Sequence, residues 1–157
     1  MVIYKLAIKN DPFAFMTIDA SGGFCKKIKL PNGEKSPHIF LYQCICVTTD
    51  VSFPEFQMLS MRQDAVIITM FFSDLLRLGA PKPRLIVCDF SRAILIAIVR
   101  TFADCSDLSH YMQRCYNFSV LKISDQLPTC YMRLDVSHLI AMVAIWPLKG
   151  EISTILH

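Results

Sequence analysis

The chain has 157 residues, a net charge of +3 from 16 Lys and Arg against 13 Asp and Glu, and 54% apolar residues. That length suits one domain burying on the order of 70% of the surface its unfolded chain exposes, and the small net charge excludes a polycation that would coat acidic partners with its whole surface. Mean hydropathy is high at +0.43, yet the apolar runs Ala93 to Val99 and Leu139 to Trp146 fall short of the roughly 18 to 20 residues that span a bilayer, so no membrane partner is expected.

The opening "MVIYKLAIKNDP" lacks the cationic start, long apolar middle and small-residue cleavage site of a secretory signal. Seven cysteines, an odd set with no CxxC pair, sit mostly inside apolar runs where a thiol acts as a small hydrophobe. A reducing, intracellular location, nuclear or cytoplasmic, is therefore expected. "FAFMTID", Phe13 to Asp19, is apolar on both faces and predicts a central strand that ends in a carboxylate and is punctuated by Gly22 and Gly23. "FCKKIKL", Phe24 to Leu30, predicts a second strand, Pro31 to Pro37 a turn, and His38 to Thr49 a long third strand, with a further short one at "PEFQMLS". Lys26, Lys27 and Lys29, with Lys35, concentrate positive charge that suits a phosphate backbone or, equally, a solvated hairpin.

Ser60 and Gln63 form a capping box ahead of Val66, Ile67, Met70, Phe71 and Leu75, which recur at helical spacing until Gly79, Pro81 and Pro83 stop the helix. "RLIVCD", Arg84 to Asp89, predicts a short apolar strand with a carboxylate at its end, followed by a buried helix from Ser91. Leu108, Tyr111, Met112 and Cys115 mark an amphipathic helix, Cys130 to Asp135 a last strand, and "VSHLIAMVAIW" a last helix. Three meandering strands followed by helix, strand, helix, strand, helix is the element order of a ribonuclease H-like fold. In that α/β fold an antiparallel three-strand meander joins parallel strands and crossover helices in one mixed sheet. With no repeat or linker in the sequence, residues 1–157 are read as a single such domain.

In that layout Asp19 and Asp89 end neighbouring strands. Carboxylates held close repel and are costly to desolvate, and oxygen-only ligands select a hard ion such as Mg²⁺ or Mn²⁺. Two such ions roughly 4 Å apart would activate a water or 3′ hydroxyl and stabilise the departing oxygen of a phosphodiester, with Asp19 and Asp89 as ligands. The glycine pair would let backbone and substrate approach closely. Taken singly, each Asp reads as a helix cap or turn residue; it is their combination in these slots that points to metal. Zinc is disfavoured, because His38, His110, His138 and the cysteines show no paired ligand spacing.

"IDASGG", "HIFLYQCICVTTD", "FPEFQMLS", "GAPKPRLIVCDFSRAILIAIVRTF" and "LPTCYMRLDVSHLIAM" together resemble the catalytic core of eukaryotic DDE transposases of the Mutator-like and hobo-Activator kind, especially insect transposon-derived reading frames. The likeness runs from Phe13 to Trp146. It implies metal-dependent cleavage and strand transfer of DNA at transposon ends, with Asp19 and Asp89 as the first two catalytic carboxylates and Asp135 and His138 as a supporting DxxH element. A helix N-terminus with an incidental His explains that last pair equally well. The family also has a glutamate on a later helix, and downstream of Asp135 the only acidic residue is Glu151. The core is thus read as truncated, which leaves open a non-catalytic, transposon-derived domain kept for nucleic-acid or protein interaction, or an unrelated metal-dependent nuclease or phosphatase. A core cut before its last helix would also leave an apolar sheet face uncovered, favouring homo-oligomers.

Overall fold

The computed structural model describes residues 10–23, 25–124 and 127–144. Among them five strands form one mixed sheet: β1 (Phe15–Gly22), β2 (Phe40–Val47), β3 (Ser52–Ser60), β4 (Leu85–Cys88) and β5 (Tyr131–Leu134), in the order β3-β2-β1-β4-β5. β1 and β2, and β2 and β3, pair antiparallel, whereas β4 runs parallel to both β1 and β5. Four helices are described: α1 (Ala65–Arg77), α2 (Arg92–Phe102), α3 (Leu108–Ser119) and α4 (Val136–Ala144). No described helix is long and apolar enough to cross a membrane.

Strand alternation sets the core. Met16, Ile18, Tyr42, Cys44, Ile86 and Cys88 lie on one face of the sheet and are buried against α1 and α2, which contribute Ile68, Phe72, Leu75, Ile94, Ile98 and Phe102. The Phe72 and Phe102 rings meet at 5.0 Å between centroids, inclined at 52°. α3 is fastened by Tyr111, whose hydroxyl accepts the Met132 amide of β5 at 2.9 Å, and by Arg114, which donates to the Leu127 carbonyl at 2.7 Å. Burial pushes the thiols of Cys44, Cys88 and Cys130 up to about 12, so they stay protonated and pack as hydrophobes.

The meander is present, with different members from those expected. Residues 25–30 do not form the second strand read at Phe24 to Leu30; Phe24 itself lies outside the described residues. Instead residues 25–35 are exposed and fold into a small hairpin closed by a single Lys29–Lys35 bridge, with Leu30 N–H on the Glu34 carbonyl at 2.7 Å. Three lysines within four positions leave this segment too little apolar surface to cover a sheet face. The third meander strand is β3, which starts earlier than "PEFQMLS" and takes in Pro54 because it is an edge strand with a register shift opposite Cys44 and Ile45.

The start of α1 also differs. Asp64, not a Ser60–Gln63 box, is its cap, accepting from the Val66 and Ile67 amides at 3.0 and 3.1 Å, while Ser60 Oγ accepts from Arg62 N–H. Ile68, Phe72 and Leu75 form its buried stripe, and Val66 and Met70 face solvent. An almost continuously apolar helix offers no period that picks the inner face; the position of the sheet does.

A carboxylate row at one end of the sheet

The parallel pairing fixes the site. Ile18 of β1 is in register with Cys88 of β4, and Cys88 with Leu134 of β5, so the next residue on each strand is an aspartate: Asp19, Asp89 and Asp135. Asp19 falls on the sheet face opposite Met16 and Ile18, hence opposite the α1–α2 layer. Asp135 N–H donates to the Cys88 carbonyl at 2.8 Å, which holds the third position of the row against β4. Asp19, Asp89, Asp135 and His138 surround one cavity of about 210 Å³, walled below by Thr17, Ile18, Val87 and Cys88. Residues 70 positions apart in sequence (19 and 89) are thereby brought together with the DxxH pair.

The carboxylates differ in their surroundings. Burial pushes Asp89 above its ordinary value of 3.8, and the charge of Asp19 adds to that, against the Ser91 amide and His138, which pull it down. Its Oδ1 accepts the Ser91 amide at 3.3 Å, so it also serves the start of α2, where Ser91 makes no side-chain cap of its own. Asp19 is exposed and gives one oxygen to the Ala20 amide at 2.7 Å. Asp135 is held below the usual carboxylate range by the Ser137 hydroxyl and amide, at 2.6 and 2.9 Å, and by His138, whose Nδ1 lies 3.0 Å from Oδ2. In that arrangement Asp135 caps α4 and orients the imidazole.

The donor set suits a hard cation: two open carboxylates, one of them raised by burial and by its neighbour's charge, with an imidazole at the rim. Among the described residues no three His, Cys, Asp or Glu side chains are already close enough to hold a metal ion. The remaining expected residues fall elsewhere. Lys26, Lys27 and Lys29 are exposed in the hairpin loop that leaves β1 after Gly23, at the end of the strand that carries Asp19. Glu151 and Trp146 lie outside the described residues. The glycine pair has local duties: a Cβ at Gly22 would come within 2.7 Å of the Phe40 ring, and Gly23 turns the chain at φ +79°.

Sequence reasoning placed Asp135 in a supporting role and missed that it stands level with the other two. In all three strands an apolar residue directed at the core precedes the Asp, at Ile18-Asp19, Cys88-Asp89 and Leu134-Asp135, but Asp19 lies inside β1, which runs on to Gly22 in its pairing with β2, rather than at the strand end expected from the sequence. Ser137, which binds Asp135 through both hydroxyl and amide, went unread altogether.

The protein is a mixed α/β domain with three acidic residues lined up just past the parallel register of β1, β4 and β5. No protein-family model matches the chain. It is 37% identical over 128 residues to the 120.7 kDa protein in the NOF-FB transposable element of Drosophila melanogaster. The match covers 82% of this chain and 12% of that relative, so the chain spans about an eighth of the relative's length. A homologue of this chain is thus a transposable-element protein.

Proposed function

We propose that the chain is a transposon-derived, ribonuclease H-like core of the DDE transposase type, whose ancestral chemistry is divalent-ion-dependent cleavage and strand transfer of DNA. The observation that carries this reading is the register: the strand order 3-2-1-4-5 with Asp19, Asp89 and Asp135 one residue beyond three aligned core positions. The homologue in a transposable element supports the same reading.

Asp19 and Asp89 would hold Mg²⁺ or Mn²⁺. Such an ion supplies an activated oxygen nucleophile and stabilises charge on a phosphodiester. Asp89 is held in place because it directly follows a strand paired on both sides, and a neighbouring cation would offset the burial and like charge that raise its proton affinity. Asp135 fixes the His138 ring at the rim, where an imidazole can hydrogen-bond a phosphate oxygen. Lys26, Lys27 and Lys29, on a loop leaving the same strand, would neutralise phosphates of a DNA partner, with work in the nucleus as the corresponding location.

Titration of Mn²⁺ by calorimetry into the parent and Asp89→Asn tests the site: saturable binding that is lost in the variant is expected, and a parent that binds nothing removes the metal-centre reading. Plasmid nicking with Mn²⁺ then tests activity. A second reading, a non-catalytic relic that binds DNA or protein, is favoured by the lack of three closed ligands among the described residues. DNA binding without nicking supports it. Replacing Lys26, Lys27 and Lys29 with Ala should flatten the dependence of log affinity on log salt by up to about 0.9 per lost phosphate contact on duplex DNA.

A further inference from the structure

A groove of about 870 Å³ lies between α2 and α3, away from the carboxylate row. It lies on the outer side of the helical layer, because Ile94, Leu95, Ala97, Ile98 and Phe102 turn the other side of α2 into the core. Its floor is apolar: Ile96 and Leu108 are half-buried, while Met112 and Tyr116 remain 60% and 52% exposed. Arg92 and Arg100 stand on the same α2 flank, two residue pairs of i, i+4 spacing apart through Ile96, hence about 12 Å along the axis at 1.5 Å per residue. Neither guanidinium meets a carboxylate among the described residues: no partner is seen for Arg92, and Arg100 donates only to the Ser106 carbonyl at 3.4 Å.

We propose that this groove docks an amphipathic helix of a protein partner that carries acidic residues two turns apart along one edge of its apolar face. An apolar trough flanked by cations complements such a helix in both respects: leucine-type anchors at i, i+3, i+4 and i+7 fill the floor, and carboxylates pair with the two arginines. Exposed Met, Tyr and Arg are the residue types enriched where partners bind. Nucleic acid fits less well. The trough offers only two cations and a predominantly apolar floor, which a helix's leucines would cover and a phosphate backbone would not, while the one carboxylate on its wall, Asp107, is engaged by the His110 amide at 2.8 Å and Ser106 Oγ at 3.0 Å. Asp19 projects from the opposite sheet face, so the docking surface is independent of the metal reading.

The test uses the full chain and two labelled synthetic peptides of about 18 residues, with leucines at i, i+3, i+4 and i+7 and either two Glu or two Lys placed two turns apart. Fluorescence anisotropy should show saturable binding of the Glu peptide, weakened about tenfold or more by Arg92→Glu or Arg100→Glu. The double reversal should switch preference to the Lys peptide. Met112→Glu, at an exposed position that leaves the fold intact by circular dichroism, should abolish binding of both. The proposal is overturned if the Glu peptide does not bind the parent, or if reversal leaves the preference unchanged. It is overturned equally if a labelled oligothymidine binds and is lost on reversal while the peptide does not bind.

Discussion

Asp89 and Asp135 stand side by side in one row on opposite kinds of support. β4, which carries Asp89, is paired on both sides and leads into α2, where seven of eleven residues are buried. β5, which precedes Asp135, is an edge strand among the described residues, and none of the residues of α4 is buried; Leu139, Ile140 and Val143 are exposed. One carboxylate is carried by the core and strained electrostatically by it, while the other is carried by local hydrogen bonds and relaxed by them. Rigidity and charge stabilisation are thus divided between the two halves of the site.

The widest separation between the halves is expected in their packing. Phe72→Ala or Phe102→Ala breaks the aromatic contact beneath the β1–β4 half and should cost about 3–5 kcal/mol by denaturant unfolding. Ile140→Ser on α4, 63% exposed, should stay within about 0.5 kcal/mol. A large loss at Ile140 would mean that α4 is packed in solution and that the contrast is false. A smaller effect probes the joint between the halves: Tyr111→Phe strands the Met132 amide and should cost about 1–3 kcal/mol. If it also weakens Mn²⁺ binding, the position of β5 matters to the row.

The parallel half of this arrangement was largely legible in the sequence because short apolar strands, glycine and proline stops and capped helices leave distinct local marks. "RLIVCD" and Cys130 to Asp135 became β4 and β5 nearly as read. The antiparallel half was less so. Lysine-bearing alternation at 24–30 mimics a strand, and only the pairing of β1 with residues 40–47 shows that the intervening segment is a loop. The inner face of α1 was likewise undecided until the sheet chose it. Adjacency of Asp19 and Asp89 followed from topology, whereas the level position of Asp135 depends on a register that no local pattern records.

The two carboxylates should also respond to pH with opposite sign. For Asp89 the folded chain binds the proton more tightly than the unfolded chain, whose value is near 3.8, so ionising it erodes stability as pH rises from 3.8 through the raised value. Asp89→Asn removes that cost and should melt higher than the parent at neutral pH, the gain vanishing well below pH 3.8. Asp135 is the reverse: its folded value lies below 3.8, its contribution is complete above that pH, and it is lost as pH falls through the depressed value. Asp135→Ala should therefore melt lower than the parent at neutral pH and converge with it in acid. Adding Mn²⁺ sharpens the contrast, because an ion bound at Asp89 turns its penalty into a gain: the parent should rise in melting temperature and Asp89→Asn should not. If both variants shift in the same direction at neutral pH, the division of labour between the two supports is wrong.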